Sequence, residues 1–446
     1  MSTKEKRSRD LIHIKGGNMN IYRGVPKACA YLFFFTLFSA FAIFSSPDGA
    51  TMAEECTPFS PGQYSSSLAL DPFGNPHVAW EQSLRIGTSE CQQNDIYYTS
   101  SADQGMSFMR VAADIDWITE ATQARVSLAI DSEGNPAVAW ADKREGEKYV
   151  YFAQSDDGGR TFSPGIRIDE SARRQERPCL VFDQQDNPVI AWIKVHHVAP
   201  NMNPVGYIHV TRSNDGGATF LESVSVCPGS KPYQGWPALA VDSNNNPVVA
   251  LHYYSLGKSL WNVYYIRSID QGASFQKPIV VDPGYNQYIA GNDALTLDSQ
   301  GNPCIAFMDH REGYWNIRFA RSPDGGMTFD PSVVIDPYPT RQMTPSIGID
   351  SNDKLYLAWV DKRTGVNNIR FSTSDDLGST FTPSIPIDPG NAMQNRPCID
   401  VDPVLNVPHI TWTDKRQGLC YVFHTMSFNS GFSFMPGIPV YPFPTE

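Results

Sequence analysis

The stretch Ser322-Pro323-Asp324-Gly325-Gly326-Met327-Thr328-Phe329 decides how this 446-residue chain is read. Six relatives of it begin at Ser101, Ser155, Ser213, Ser268, Ser374 and Ser427. Each reads Ser-x-Asp-x-Gly-x-Ser/Thr-Phe, with Asn429 in place of Asp in the last. The starts lie 52 to 58 residues apart. A fixed period of that size marks a solenoid, a propeller or an array. The box itself is a turn: Asp or Asn bonds its own backbone two residues on, Gly supplies positive φ, and Ser/Thr adds a local acceptor. The Phe that follows anchors the turn in apolar surface and opens a strand. A calcium loop would need three acidic or amide ligands and a late Glu, and no copy has them.

A second signature precedes each box. It runs Leu68-Ala-Leu-Asp71-Pro-Phe-Gly-Asn-Pro76-His-Val-Ala-Trp80 in the first repeat, and recurs ending at Trp140, Trp192, Leu251, Phe307, Trp359 and Trp412. Two apolar runs around an Asn/Pro turn are a hairpin. A third run leads into each box, as in Tyr149–Ala153, and a fourth follows it, as in Ile166–Ile168. Each repeat is thus four short antiparallel strands. Radial repetition of such units gives an all-β fold, a seven-bladed β-propeller of four-stranded antiparallel blades with Asp-box turns, over residues 54–446. The boxes resemble the Asp-box (BNR) repeats of the sialidase-like β-propellers, over nearly all of the chain beyond residue 60.

Ahead of the repeats, residues 1–27 carry seven Lys or Arg, and Ala28 to Phe44 is a 17-residue apolar run. Residues 1–53 read as an export leader cleaved after Ala53; retained, the run would be a membrane anchor. The expected location is therefore secreted or in the cell envelope. Removal leaves 28 Lys and Arg against 44 Asp and Glu, a formal charge of −16. Such a surface repels phosphate backbones and argues against nucleic acid. Export favours disulfides; Cys56 and Cys91 are the expected pair, and Cys179, Cys304 and Cys398 fall in apolar strand patterns as buried thiols.

Strand parity puts the Asn/Pro turns and the boxes on one face, the bottom. The second turns and the blade-to-blade crossovers form the top. From hairpin Asp to box Ser, repeats 2, 5 and 6 need 24 residues, repeat 4 needs 26, and repeats 1 and 3 need 30. The variation belongs to the top, where loops on a rigid scaffold carry binding residues.

Three sets of residues there are candidates. Trp236, Tyr253, Tyr254, Trp261, Tyr285 and Tyr288 concentrate aromatic surface over blades 3 to 5, suited to glycan stacking or a protein anchor. Arg125, Arg177 and Arg396 share one repeat position at the channel mouth, equivalent to Ser65, Trp236, Asn292 and Thr344; they would hold a carboxylate or pair with Asp169 and Asp388. The second-turn arginines of Asp142-Lys-Arg144 and its copies at Arg311, Arg363 and Arg416 read as locally paired turn residues rather than an anion ring. His196 and His197 point apart on an extended segment and do not make a metal site. No cofactor motif is visible.

The resemblance implies a glycoside hydrolase with a Tyr nucleophile assisted by Glu, an Asp acid/base and three arginines. Where the family carries Arg-Ile-Pro, this chain reads Gln63-Tyr-Ser-Ser-Ser67, and Asp116 matches an acid only by position. The expected function is a non-catalytic propeller that binds a glycan or an extracellular protein on its top face, with a sialidase-like exo-glycoside hydrolase as the alternative.

Overall fold

The computed structural model describes residues 62–441, apart from 86–91, 110–112, 117–120, 197–204, 229–233, 256–259, 285, 290–291 and 417. The leader, Cys56 and Cys91 lie outside the described residues. Seven separate antiparallel sheets follow one another along the chain. Blade 1 is built from Gly62–Leu70, Pro76–Arg85, Gln92–Ser100 and Ala113–Asp114, paired in that order. Blades 2, 3, 4, 6 and 7 repeat this pattern, and no α-helix occurs among the described residues. Blade 5 differs in that its innermost strand is split into Gln287–Tyr288 and Leu295–Leu297, with a 3-10 turn at Asn292–Ala294 between them. The second strand of every blade is shielded on both sides. Trp80, Trp140, Trp192, Leu251, Phe307, Trp359 and Trp412 are all wholly buried there.

Three recurring devices join neighbouring blades. The first is a glutamine near the start of each innermost strand: Gln63, Gln123, Gln175, Gln234, Gln287, Gln342 and Gln394, all buried. Each side-chain oxygen accepts a backbone N–H from the third strand of the preceding blade, as from Ile96 to Gln123 (2.9 Å), Val150 to Gln175 (3.0 Å) and Ile369 to Gln394 (2.9 Å). The second is a Ser or Cys four residues on. Leu128 donates to Ser67 (3.0 Å), Leu180 to Ser127 (3.0 Å), Ile399 to Ser346 (2.9 Å) and Leu68 to the Cys398 sulfur (3.3 Å).

The third device is the Ser-x-Asp-x-Gly-x-Ser/Thr-Phe turn. In blade 5, Ser322 Oγ accepts from Gly326 N–H (2.7 Å), and Asp324 accepts from Thr328 N–H (2.8 Å) and hydroxyl (2.7 Å). Its Phe329 packs edge-on against Tyr265 of blade 4, with centroids 5.6 Å apart. Phe162, Phe220, Phe381 and Phe434 repeat this on Tyr98, Phe152, Phe319 and Phe371 of their preceding blades. The turn is therefore a clasp between blades as well as within one.

The same devices close the ring. Gln63 accepts from Val422 of blade 7 (2.9 Å), Cys398 accepts from Leu68, and Phe108 packs on His424 (5.2 Å). Among the described residues no strand is exchanged between the first and last blades. Cys179, Cys304 and Cys398 are buried free thiols, as their apolar setting suggested. Cys420, whose carbonyl accepts from Gln63 N–H (2.7 Å), is disulfide-bonded.

A glutamine staple should be separable from its size. Gln175→Leu fills the same space but strands the buried N–H of Val150 and the Asp169 carbonyl that accepts from Gln175 (3.2 Å). A loss of about 1–3 kcal/mol is expected in urea unfolding. Gln300→Leu, in an exposed bottom turn, should change stability little; equal effects would refute the staple.

Candidate functional site

The innermost strands of blades 1, 2, 3, 4, 6 and 7 each break register near their top ends. At the break a non-glycine residue takes positive φ: Ser65 (48°), Arg125 (60°), Arg177 (56°), Trp236 (43°), Thr344 (47°) and Arg396 (53°). This is the repeat position singled out from the sequence. Its conformation was not legible there, because nothing in these residue types favours the left-handed region. A bulge re-aims the side chain, and holding such residues at positive φ costs of order 1–3 kcal/mol each. Six aligned bulges make a rim around the top mouth of the channel.

The three arginines converge on that rim. Burial, then the charges of Arg125 and Arg396, hold the Arg177 guanidinium well below the ordinary arginine pKa. Glu176 and Glu81 act in the opposite sense on Arg177. Glu81 accepts from the Arg125 N–H (2.7 Å), and Arg396 donates to the Ser65 hydroxyl. Burial would raise the Glu176 carboxyl, but Arg174, Lys148 and Arg177 hold it low. Arg125, Arg177, Arg396, Arg174 and Lys148 thus stand together with Glu81 and Glu176, five cations to two carboxylates among these groups. A local excess of positive charge sits on a chain of formal charge −12.

Neither Asp169 nor Asp388 is taken up by these arginines. Asp169 pairs with Lys194 (2.8 Å) and Asp388 with Arg416 (2.7 Å). The second-turn arginines are locally paired, each bridging its own turn's aspartate and one in the preceding crossover. Arg144 binds Asp142 (2.5 Å) and Asp116 (2.6 Å), and Arg363 binds Asp361 (2.7 Å) and Asp336 (2.5 Å). Arg311 and Arg416 repeat the arrangement. Asp116, matched to an acid only by position, is spent in an ion pair.

The aromatic sector is partly brought together. Arg177 lies over the Trp236 ring, 4.1 Å from its centroid. Trp236 neighbours His252 (6.5 Å), which contacts Trp261 (5.1 Å) and Tyr288 (5.2 Å). Tyr254 meets Trp261 (5.1 Å), and Tyr288 meets Trp315 (5.4 Å). The period-2 alternation of Pro247–Ser255 sends His252 and Tyr254 to one side of blade 4 and Tyr253 to the other. There Tyr253 packs with the core between blades 3 and 4 and against Tyr264 (5.1 Å). Trp261 is only 7 % exposed, so it backs the wall rather than presenting a face. Tyr285 lies outside the described residues.

His252 was not among the expected site residues, although His252-Tyr-Tyr254 names it in sequence. Burial, reinforced by Arg177, lowers its pKa to about 3, so the ring is neutral. Its Nδ1 has no partner, and neither have Gln234 Nε2 and Trp236 Nε1. The indole N–H groups of Trp192 and Trp359 also lack partners, so a bare indole does not mark this sector; the cluster of three does. In blades 2, 3, 6 and 7 the equivalent glutamine Nε2 donates to a crossover carbonyl.

Tyr64 and Glu81 are register partners across the first two strands of blade 1. Burial, then the Glu81 charge, pushes the tyrosine up to about 12. Among the described residues, no group of three or more His, Cys, Asp or Glu side chains could hold a metal ion. No described helix is long and apolar enough to cross a membrane.

Farther down the channel, Asp293 hydrogen-bonds the Cys398 thiol, and Asp400 accepts from Leu70 N–H (2.8 Å) and Val401 N–H (2.8 Å). Burial, with Asp293 and Asp402 adding like charge, pushes the Asp400 carboxyl up to about 6. Its folded pKa thus exceeds its reference value of 3.8. Its stabilising contribution is full below that value and is lost as pH rises through about 6. Asp400→Asn should flatten the fall in Tm over that window relative to wild type; parallel profiles would disprove the assignment.

No family model matches the chain, and no curated protein does. Solved structures do. An ulvan lyase, a polysaccharide lyase, is 12% identical over 82% of this chain and 94% of its own, with a TM-score of 0.54. A protein of unknown function from Dyadobacter fermentans is 16% identical over 70% of this chain and 96% of its own, with a TM-score of 0.50. A Hadza microbial sialidase is 15% identical over 72% and 71%, with a TM-score of 0.47. At such identities the likeness is one of fold: this chain is a seven-bladed, all-β propeller.

Proposed function

We propose that this chain is an exported propeller, directed by the leader at 1–53, that binds an acidic glycan at the top mouth of its channel. The boxes are read as Asp-box repeats on the strength of their sequence and their shared hydrogen bonding. The observation that carries the reading is Arg177 stacked over Trp236. It joins the basic rim of blades 2, 3 and 7 to the aromatic wall of blades 4 and 5, so one surface offers charge and ring faces together. A basic mouth on an acidic protein concentrates anions, and guanidinium groups suit carboxylate or sulfate. That an ulvan lyase shares the fold is compatible with a saccharide ligand and does not choose among them.

A second reading has a specific observation behind it. Tyr64 beside Glu81, next to Arg125, is the pairing a sialidase-like hydrolase would use. Asp116, the acid matched by position, is held in an ion pair with Arg144, and burial and the Glu81 charge favour the neutral phenol of Tyr64; we therefore favour non-catalytic binding.

Both are tested on one panel of sialylated, uronate-containing, sulfated and neutral glycans, with a fluorogenic sialoside alongside. Saturable retention of acidic members without turnover is expected. Turnover abolished by Tyr64→Phe would establish the hydrolase instead. Retention of none would overturn glycan binding and leave an extracellular protein as the ligand class.

A further inference from the structure

The repeat supplies its own control for the bottom face. At the tip of the first turn, blades 2 to 6 carry Glu133, Gln185, Asn244, Gln300 and Asn352, all exposed. Blade 1 has Phe73 there, 70 % exposed, and blade 7 has Val404 and Leu405, 65 % and 53 % exposed. The boxes add to this surface, although blade 4 also exposes Ile269 (63 %) at the Phe428 position. Blade 7 exposes Phe428 (54 %) and Phe432 (81 %), and blade 1 exposes Met106 (54 %). At the Phe432 position, blades 2, 3, 4 and 6 carry Arg160, Ala218, Ala273 and Ser379, while blade 5 carries Met327, 60 % exposed. At the first-turn tip the scaffold therefore tolerates polar residues, and the large apolar ones of blades 1 and 7 answer to something other than the fold.

These residues adjoin one another. The first turn of blade 1 lies against that of blade 7, so closely that a Cβ on Gly74 would fall 2.0 Å from Asp402 Oδ2. The blade 1 box is tied to its own turn by Gln104 N–H to Asn75 (3.1 Å), and its Gly105 lies against His424 of blade 7. The patch straddles the seam where the ring closes, on the face opposite the channel mouth.

We propose that this patch is the contact surface of a homodimer. The six side chains expose an area on the order of the ~800 Å² that each partner gives to a standard interface, and a monomer rarely shows so much contiguous apolar surface. Charge decides the occupant. The segments 71–76, 101–109, 402–408 and 427–435 contain no Lys or Arg, so nothing here attracts acidic lipid or a polyanion. Asp71, Asp103 and Asp402 accept hydrogen bonds from their own turns. With those carboxylates engaged in their own turns, the apolar surface matches itself, and a two-fold axis places the same patch on both subunits. Both mouths then face away from the contact, so a dimer displays two ligand sites and gains avidity on a polymeric ligand.

The test is sedimentation velocity of the purified protein across a hundredfold concentration range. A monomer–dimer equilibrium that tightens with added salt is expected, because the subunits are acidic and the contact apolar. Phe73→Glu and Leu405→Glu should each weaken it at least tenfold, with Tm unchanged because both side chains are exposed. Gln300→Glu and Asn352→Glu, at the same turn position in blades 5 and 6, should leave it intact. A wild-type protein that stays monomeric throughout overturns the proposal and turns the patch over to a different protein. So does a dimer indifferent to Phe73→Glu and Leu405→Glu.

Discussion

Gly378→Ala should destabilise the propeller by roughly 2–5 kcal/mol, while Gly365→Ala should cost about 1–2 kcal/mol. The two glycines have nearly the same backbone, φ +86° and φ +92°, so alanine pays the same left-handed strain at both. They differ in what a methyl group meets. At Gly365 nothing lies within 4 Å. At Gly378, in the box of blade 6, the new Cβ would fall 1.9 Å from Cε1 of Phe319 in blade 5. Phe319 is 2 % exposed and is clamped edge-on against Phe381, so its ring has nowhere to turn. Gly326 against Tyr265 (2.1 Å) and Gly159 against Tyr98 (2.3 Å) present the same obstacle. Urea midpoints for the two alanine variants measure the difference. Equal losses would mean that the box glycine serves its own turn alone and does not set the spacing between blades.

That distinction marks how far the sequence could be read. Turn chemistry is local, so Ser, Asp, Gly and Ser/Thr at fixed offsets disclosed seven turns and, with the apolar runs, seven four-stranded blades. What those residues do across the blade boundary was hidden. Gln63 and five counterparts stand eight residues before the hairpin Asp, and Gln287 stands eleven before Asp298; glutamine favours no particular structure, and the neighbouring blade's N–H gives it a purpose. The disruption in blade 5 had a trace: Asn292 stands where other repeats place the residue of the bulge, with Gly291 before it. The candidate site was legible in its parts. Arg125, Arg177 and Arg396 shared a repeat position and do converge; Trp236 shares it too, and for that reason arginine and indole meet. Tyr253 was grouped with Tyr254 by proximity in sequence, although a strand sends adjacent residues to opposite faces. Trp261 looked like an exposed ring because its loop is long, and tertiary packing buries it.

Arg177→Ala should lower affinity for an acidic glycan by on the order of 10- to 200-fold, about 1.5–3 kcal/mol. The arginine is held at unfavourable φ and against two like charges, an arrangement that stability alone would not select. An anion at the rim relieves that repulsion, and Arg177 is the member whose protonated form burial and its like-charged neighbours penalise. Trp236→Ala removes the stacking partner and should also weaken binding by about 1–3 kcal/mol. Its effect on stability will differ from that of Tyr254→Ala, because Trp236 packs beside His252 and against the core of blades 3 and 4, so a drop in Tm is expected to accompany the lost affinity. Arg177→Lys separates charge from shape: lysine keeps the positive charge but loses the planar fork and its stacking on the indole. Partial rescue by lysine, with added salt weakening wild type and lysine variant alike, is expected if the ligand carries a carboxylate or sulfate. If Arg177→Ala and Trp236→Ala both bind the acidic panel as wild type does, while Tyr254→Ala does not, the ligand sits on the aromatic wall away from the rim, and it is recognised by its ring faces instead of its charge.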